Sequence, residues 1–249
     1  MSKEQYQLFR EQGFILSRGL LSSDEIASLA DPMDDLLGGQ DKDDQVHRVR
    51  EKSGTVRSIF LAHRHYNPYK AIIRNPKILE PVKNILDNDV YIYHSKLNVK
   101  DGFEGTVWLW HQDFGYWIND GVDSRSISVM VFLDKATLNN GCLMIAAGTH
   151  KLGRLHHELD TVTTNYDQWC VPTEVLKDNL KEEMIQPITG EPGDVLFFDS
   201  QILHGSGHNM SPLARKTFII VYNDIDNKPQ PVENPRPDWV VARQFDIVS

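Results

Sequence analysis

Val90-Tyr-Ile-Tyr-His-Ser-Lys-Leu97 is the stretch on which the fold turns. Upstream of it the chain carries helix signals, whereas within and beyond it β-branched and aromatic residues gather in short runs that favour strands. Five further runs of this kind follow, at 107–110, 127–133, 142–145, 195–198 and 217–222. Turn signals separate them: Asp101-Gly102, Asn139-Asn140-Gly141, Gly190-Glu-Pro-Gly-Asp194 and Gly205-Ser-Gly207. The regular helix–strand alternation that a parallel α/β sheet requires is absent. A mainly β architecture is expected, a jelly roll or barrel backed by N-terminal helices.

Working outward, residues 4–11 read as a short helix and Gly13-Phe-Ile-Leu16 as a strand. Ser22-Ser-Asp-Glu25 has the form of a capping box, which predicts a second helix running to about Leu37. Residues 38–52 are polar and lack an apolar period, so they read as a surface loop. Asn67-Pro68 and Asn75-Pro76 place proline at helix starts, and Ile72, Ile73, Ile78, Leu79, Val82, Ile85 and Leu86 recur at helical spacing. Residues 158–181 read as a partly helical insertion, and the Pro-rich tail after Asp226 as a surface wrap. With no repeat and no linker, one domain over 1–249 is expected: helical support over about 1–88, a β core over 89–225 and a tail over 226–249.

Composition narrows the function classes. The 249 residues are 40% hydrophobic and 24% charged, enough for a substantial core. A net charge of −9 repels phosphate backbones and anionic membrane surfaces, so neither nucleic acid nor membrane is an expected partner. No apolar run is long enough to span a bilayer, and the N-terminus has no apolar signal core, which points to the cytoplasm. Cys142 and Cys170 have no Cys-x-x-Cys spacing and read as reduced, buried small residues.

Among ten histidines, His47, His63, His65 and the pair His156-His157 lie in stretches that read as solvated. His111-Gln-Asp113 differs, because residues i and i+2 of an extended segment project to one side and offer one metal an imidazole and a carboxylate. Downstream, Gly193-Asp-Val-Leu-Phe-Phe-Asp199 leads into His204, then Ser206 and Arg215. Two histidines and a carboxylate on a β scaffold form the facial triad that leaves open positions on Fe(II) for a chelating cosubstrate and O2. A guanidinium at the start of a strand can hold a carboxylate bidentately, and Ser206 can add a hydroxyl donor.

These residues carry a resemblance. His111-Gln-Asp-Phe-Gly-Tyr-Trp117, His204-Gly-Ser206 and Asn209-Met-Ser-Pro212 with Arg215 resemble the phytanoyl-CoA dioxygenase family of Fe(II)/2-oxoglutarate oxygenases, and within it the ectoine hydroxylase-like members. Val56-Arg-Ser-Ile-Phe60, Lys96-Leu-Asn98, residues 141–150 and Val221-Tyr-Asn223 extend the similarity over about 56–224. The resemblance implies a double-stranded β-helix of cupin-like, jelly-roll form. It implies metal ligands His111, Asp113 and His204, with Ser206 and Arg215 on the distal carboxylate of 2-oxoglutarate and Asn98 in the same pocket. Trp117 falls where ectoine hydroxylases set an aromatic against substrate. His94 replaces their substrate-contacting Gln, which counts against ectoine itself as the substrate.

The reaction so implied oxidises 2-oxoglutarate to succinate and CO2 while hydroxylating an unactivated C–H bond. Retention of Asp113 favours hydroxylation over halogenation, with desaturation or cyclisation open to the same triad. For a small-molecule substrate, Lys96, Lys100, His94, Arg57 and Arg125 are available to a carboxylate, and Trp108, Trp110, Tyr116 and Trp117 to a cationic or cyclic group. An amino acid or cyclic amino-acid derivative fits both. Competing readings are an oxygenase for CoA- or carrier-bound acyl groups, a cupin-type metal hydrolase or isomerase, and a non-catalytic binding protein. A hydrolase has no use for Ser206 and Arg215 together. The oligomeric state is not legible.

Overall fold

The computed structural model describes residues 1–39, 46–164 and 166–249. Among these, thirteen strands run in chain order: β1 (Phe14–Ser17), β2 (His47–Arg50), β3 (Val56–Phe60), β4 (Val90–Lys100), β5 (Trp108–His111), β6 (Ser126–Phe132), β7 (Leu143–Ala146), β8 (Glu158–Asp160), β9 (Gln168–Cys170), β10 (Ile185–Ile188), β11 (Val195–Asp199), β12 (His204–Ser206) and β13 (Arg215–Asp224). A seven-stranded sheet has the order β1-β11-β6-β13-β4-β3-β2, and a four-stranded sheet the order β10-β7-β12-β5. Every pairing is antiparallel. The two sheets enclose the jelly-roll interior, and β8 and β9 form a separate hairpin.

The central strands are buried on both faces, which is why they read as continuous apolar runs rather than alternating ones. On β6 and β13, Met130, Phe132 and Ile219 face Leu143, Ile145 and Ile188 of the small sheet. Their neighbours Val129, Val131, Phe218 and Ile220 face the helices, packing with Leu29, Tyr69, Ile78 and Val82. Each such side chain contributes about 1.5–3 kcal/mol on burial.

The helical layer follows its sequence signals. Ser22 caps Ser23–Ala30 in a full capping box with Glu25, while Asn67–Ile72 and Pro76–Leu86 each take proline in the first turn. The expected single helix to Leu37 is instead two, because Pro32 interrupts it before Met33–Gly38. β1 forms where a strand was expected, and the N-terminal third is less helical than expected because β2 and β3 also add to the large sheet. Of the surface loop expected over 38–52, residues 40–45 lie outside the described residues and His47–Arg50 form β2.

Gly205 and Ser206, expected in a turn, lie in β12. Glycine suits the position because a Cβ at 205 would stand 3.0 Å from the Trp108 carbonyl oxygen, a tight contact. The 158–181 insertion is the β8–β9 hairpin followed by the helix Thr173–Asn179. Both cysteines are free; Cys142 is buried as expected, and Cys170 only half-buried. No helix among the described residues is long and apolar enough to cross a membrane.

His63, expected in solvent, is buried on the helix Ala62–His65, with Nδ1 2.6 Å from Ser95 Oγ on the outer face of β4. Burial, aided by the positive charges of Arg64, His65 and Arg74, pushes its pKa down to about 3. Between about pH 6.5 and 3 the unfolded chain binds a proton here that the folded chain does not. Stability is therefore fully present above this window and is lost as pH falls through it. The denaturation midpoint of His63→Gln is expected to fall less steeply than wild type over that range; an identical slope would remove His63 as a source of the acid sensitivity.

Candidate active site

The small sheet brings the histidines together. β5 and β12 pair with His111 directly opposite His204, and the register shifts between His204 and Ser206 so that Ser206 meets Trp108. Asp113 is not on a strand as the His-x-Asp reading allowed. It begins the short helix Asp113–Trp117, but Gln112 before it is extended (φ −108°, ψ 135°), so His111 and Asp113 still project together. Asp113 Oδ1 lies 3.8 Å from Nε2 of both His111 and His204. That is too long for a hydrogen bond and short enough for one cation to bridge. Among the described residues these three are the one group of histidine, cysteine or carboxylate side chains with ligand atoms so placed.

Both imidazoles are prepared as lone-pair donors. His111 Nδ1 faces the Leu109 carbonyl at 2.6 Å and His204 Nδ1 the Ile202 carbonyl at 3.0 Å. A carbonyl only accepts, so the proton sits on Nδ1 and Nε2 is left bare toward Asp113. Burial holds both rings well toward the neutral form, and for His111 the neighbouring His204 adds to the effect. Ser128 donates its hydroxyl to Asp113 Oδ2 at 2.5 Å, which leaves Oδ1 free.

Gln112, between the two ligand candidates, is fully buried and escaped the sequence reading. Its side-chain amide donates to the carbonyls of Gly153 (2.8 Å) and Gln201 (2.6 Å), and its Oε1 accepts from Leu155 N at 2.7 Å. His157, expected in solvent, is buried here and accepts from the Gln112 backbone N–H at 3.1 Å. Glycine at 115 makes room for it, since a Cβ would lie 2.2 Å from His157 Nε2. No local pattern marks these contacts, which join residues forty or more apart.

Beside the triad lies an inner cavity that Asn98, Ser206 and Arg215 help to line. The Arg215 guanidinium is buried, has no ion pair or hydrogen bond among the described residues, and has its pKa pushed down to about 10 by desolvation. Ser206 Oγ and Thr217 Oγ1 are likewise buried without partners. Thr217, also missed from sequence, shares the inward face of β13 with Arg215. Three unpartnered buried donors are costly unless an anion meets them, and a carboxylate supplies the acceptors all three lack. The donor set therefore fits a carboxylate-bearing cosubstrate next to a metal. Lys100 is buried too, but its ammonium is spent on the Thr106 (2.7 Å) and Gly207 carbonyls. It ties the approach to β5 to the exit of β12 and does not face the outer cavity.

An outer cavity of about 610 Å³ opens from the same triad, lined by Phe60, Trp108, Tyr116, Trp117, Tyr166 and Trp239 with His94, Lys96 and Arg236. Positions 94, 96 and 98 share one face of β4, so His94, Lys96 and Asn98 line the inner cavity together, and His94 and Lys96 line the outer one as well. Trp117 is buried against Tyr93 and His94. The tail, expected as a surface wrap, supplies a wall: Trp239 stacks on His47 and Val240 accepts from His94. Trp110 packs instead with Leu203 and Val171. Arg57 and Arg125 are not available to a substrate carboxylate. Arg57 is paired with Glu51 at 2.8 Å and lies against the rings of both Trp108 and Tyr166, and Arg125 is bound to Asp123 and Asp224 on the surface.

Comparison with known proteins agrees with this geometry. Residues 9–217 match the phytanoyl-CoA dioxygenase (PhyH) family. The chain is 32% identical to the ectoine dioxygenase of Bordetella bronchiseptica, over 98% of this chain and 83% of that one. It is likewise 32% identical to the ectoine dioxygenase of Streptomyces anulatus, over 98% and 86%. The crystal structure of EctD from S. alaskensis with 2-oxoglutarate and 5-hydroxyectoine superposes with a TM-score of 0.82 at 30% identity, covering 100% of this chain and 86% of that one. The chain belongs to the phytanoyl-CoA dioxygenase family and is an Fe(II)/2-oxoglutarate-dependent dioxygenase.

Proposed function

We propose that this enzyme hydroxylates a small zwitterionic amino acid or cyclic amino-acid derivative in the cytoplasm, with His111, Asp113 and His204 as the iron ligands. The observation that carries the reading is the buried, unpartnered guanidinium of Arg215 beside the His111-Asp113-His204 cluster. When bound, Fe(II) and 2-oxoglutarate supply the chemistry that couples O2 reduction and release of succinate and CO2 to oxidation of a C–H bond. The protein contributes position, charge and dryness.

Arg215 clamps the distal carboxylate of 2-oxoglutarate, with Ser206 and Thr217 donating hydroxyls and Asn98 closing the same cavity. Asn98 Oδ1 accepts from Ser58 Oγ at 2.9 Å, which turns its amide N–H donors to the cavity side. The outer cavity takes the substrate. Lys96 has no ion pair or hydrogen bond among the described residues and lies 4.9 Å over the Trp108 ring, which suits it to a substrate carboxylate. His94 is held neutral chiefly by burial, with a pKa pushed down to about 3, and donates Nδ1–H to Val240 at 3.1 Å. Its Nε2 is thus an acceptor for a substrate N–H. Trp117, Tyr116 and Trp108 exclude water and give a cyclic or cationic group aromatic surface.

Anaerobic addition of Fe(II) and 2-oxoglutarate is expected to raise the visible charge-transfer band of the chelate, and cyclic and acyclic amino acids, ectoine among them, to perturb it. No substrate-dependent succinate from such a panel would overturn the substrate class while leaving the cofactor reading intact. Asp113→Ala is expected to abolish coupled turnover, and Arg215→Ala chiefly to raise the 2-oxoglutarate requirement. Wild-type hydroxylation by Asp113→Ala would sink the ligand assignment. Gln112→Leu leaves buried carbonyls unpaired at about 1–3 kcal/mol; it is expected to weaken Fe(II) binding in an anaerobic titration while the chain stays folded.

A further inference from the structure

Behind the large sheet, on the side of β4 away from both cavities, lies a separate hollow of about 320 Å³. Arg64, Lys70 and Arg74 stand around it, Ile73 and Ile92 give it apolar surface, and the buried ring of His63 contributes to its lining. The three cations come from one local segment, the helices Ala62–His65 and Asn67–Ile72 and the turn after them. None of the three has a carboxylate within ion-pair range among the described residues. Arg74 instead donates Nη1–H to the Lys70 carbonyl at 3.0 Å, which lays its guanidinium back across the Lys70 turn.

This is not how the chain treats cations nearby. On the following helix, Lys77 is paired with Glu25 and Lys83 with Asp89, each at 2.9 Å. The carboxylate lining the hollow is Asp246, exposed, so three positive groups face one negative one in a protein of net charge −9. Burial is the main reason that His63 and His65 favour the neutral imidazole, and the local positive charge adds to it: Arg64, His65 and Arg74 act on His63, and Lys70 and Arg64 on His65. Like charges gathered around one hollow repel unless a counter-ion joins them.

We propose that this hollow is a second ligand site, binding a phosphate monoester whose phosphate is held by Arg64, Lys70 and Arg74 and whose organic part rests on Ile73 and Ile92. A monocarboxylate neutralises one cation, whereas a phosphate monoester carries close to two negative charges near pH 7 and three acceptor oxygens. Two guanidinium groups and an ammonium match that charge and geometry.

The test is calorimetric titration of the iron- and 2-oxoglutarate-loaded protein under nitrogen, so that the anion position at Arg215 is already filled. The probes are phenyl phosphate, inorganic phosphate and phenylacetate. Phenyl phosphate is expected to bind more tightly than either of the others, more weakly as salt is raised. Arg64→Gln and Arg74→Gln are each expected to weaken it roughly tenfold, the scale of one charge-assisted hydrogen bond, with 2-oxoglutarate turnover unchanged. Absence of heat with wild type would overturn the proposal, as would unaltered affinity in both variants. Equal binding of phenyl phosphate and phenylacetate would also overturn it, because a cation patch without phosphate selectivity would be all that remained. The wild-type probe comparison decides the matter even if a variant fails to fold.

Discussion

His204 stands opposite His111 in the antiparallel pair β5–β12, and the rest of the site depends on that register. Side chains alternate along a strand, so a slip of one residue would turn an imidazole from the interior to the other face of the sheet. Several features hold the pair. Gly205 lets β12 approach the Trp108 backbone, Lys100 ties the carbonyls of Thr106 and Gly207, and Gln112 binds the Gly153 and Gln201 carbonyls just beyond the metal end. The Leu109 and Ile202 carbonyls then set the tautomers. The backbone that fixes the position of each histidine also fixes where its proton sits.

Electrostatics around that pair follow from burial more than from paired charge. His94, His111 and His204 are neutral chiefly because desolvation penalises the imidazolium, which suits them to accept a metal or a donor. Arg215 keeps its charge despite burial, as a guanidinium does, and forms no ion pair among the described residues. Arg57, close by, is charged and buried as well but is satisfied by Glu51, Thr106 and Val107. The contrast separates a paired buried cation from an unpaired one, and neither composition nor net charge distinguishes them.

The outer cavity is assembled from parts of the chain far apart in sequence. β3 supplies Phe60, β4 supplies His94 and Lys96, the helix after β5 supplies Trp117, the β8–β9 hairpin supplies Tyr166 and the tail supplies Trp239. The tail is fastened by Arg236 on Asp120 and by Val248 N–H on the Val90 carbonyl, so the wall it forms is part of the folded structure.

Much of this was determined by the sequence alone. The largely apolar runs at Val90, Ile127, Val195 and Thr217 specify the central strands, because strands buried on both faces draw mostly apolar residues, and the Ser22 capping box and the prolines at 68 and 76 specify helix starts. His111, Asp113, His204, Ser206 and Arg215 could be picked out as candidates because they sit in short motifs, and the fold gathers them around one cavity. The edge and minor strands β2, β3, β8, β9, β10 and β12 were not legible, being three to five residues long and dependent on pairing partners rather than on their own propensity. Only the tertiary structure decided that His63 and His157 are buried, that Gln112 and Thr217 belong to the site, that Arg57 is already paired, and that the tail lines the cavity. Burial and hydrogen-bond satisfaction are properties of what surrounds a side chain, and for these residues the surroundings come from segments that no local pattern connects.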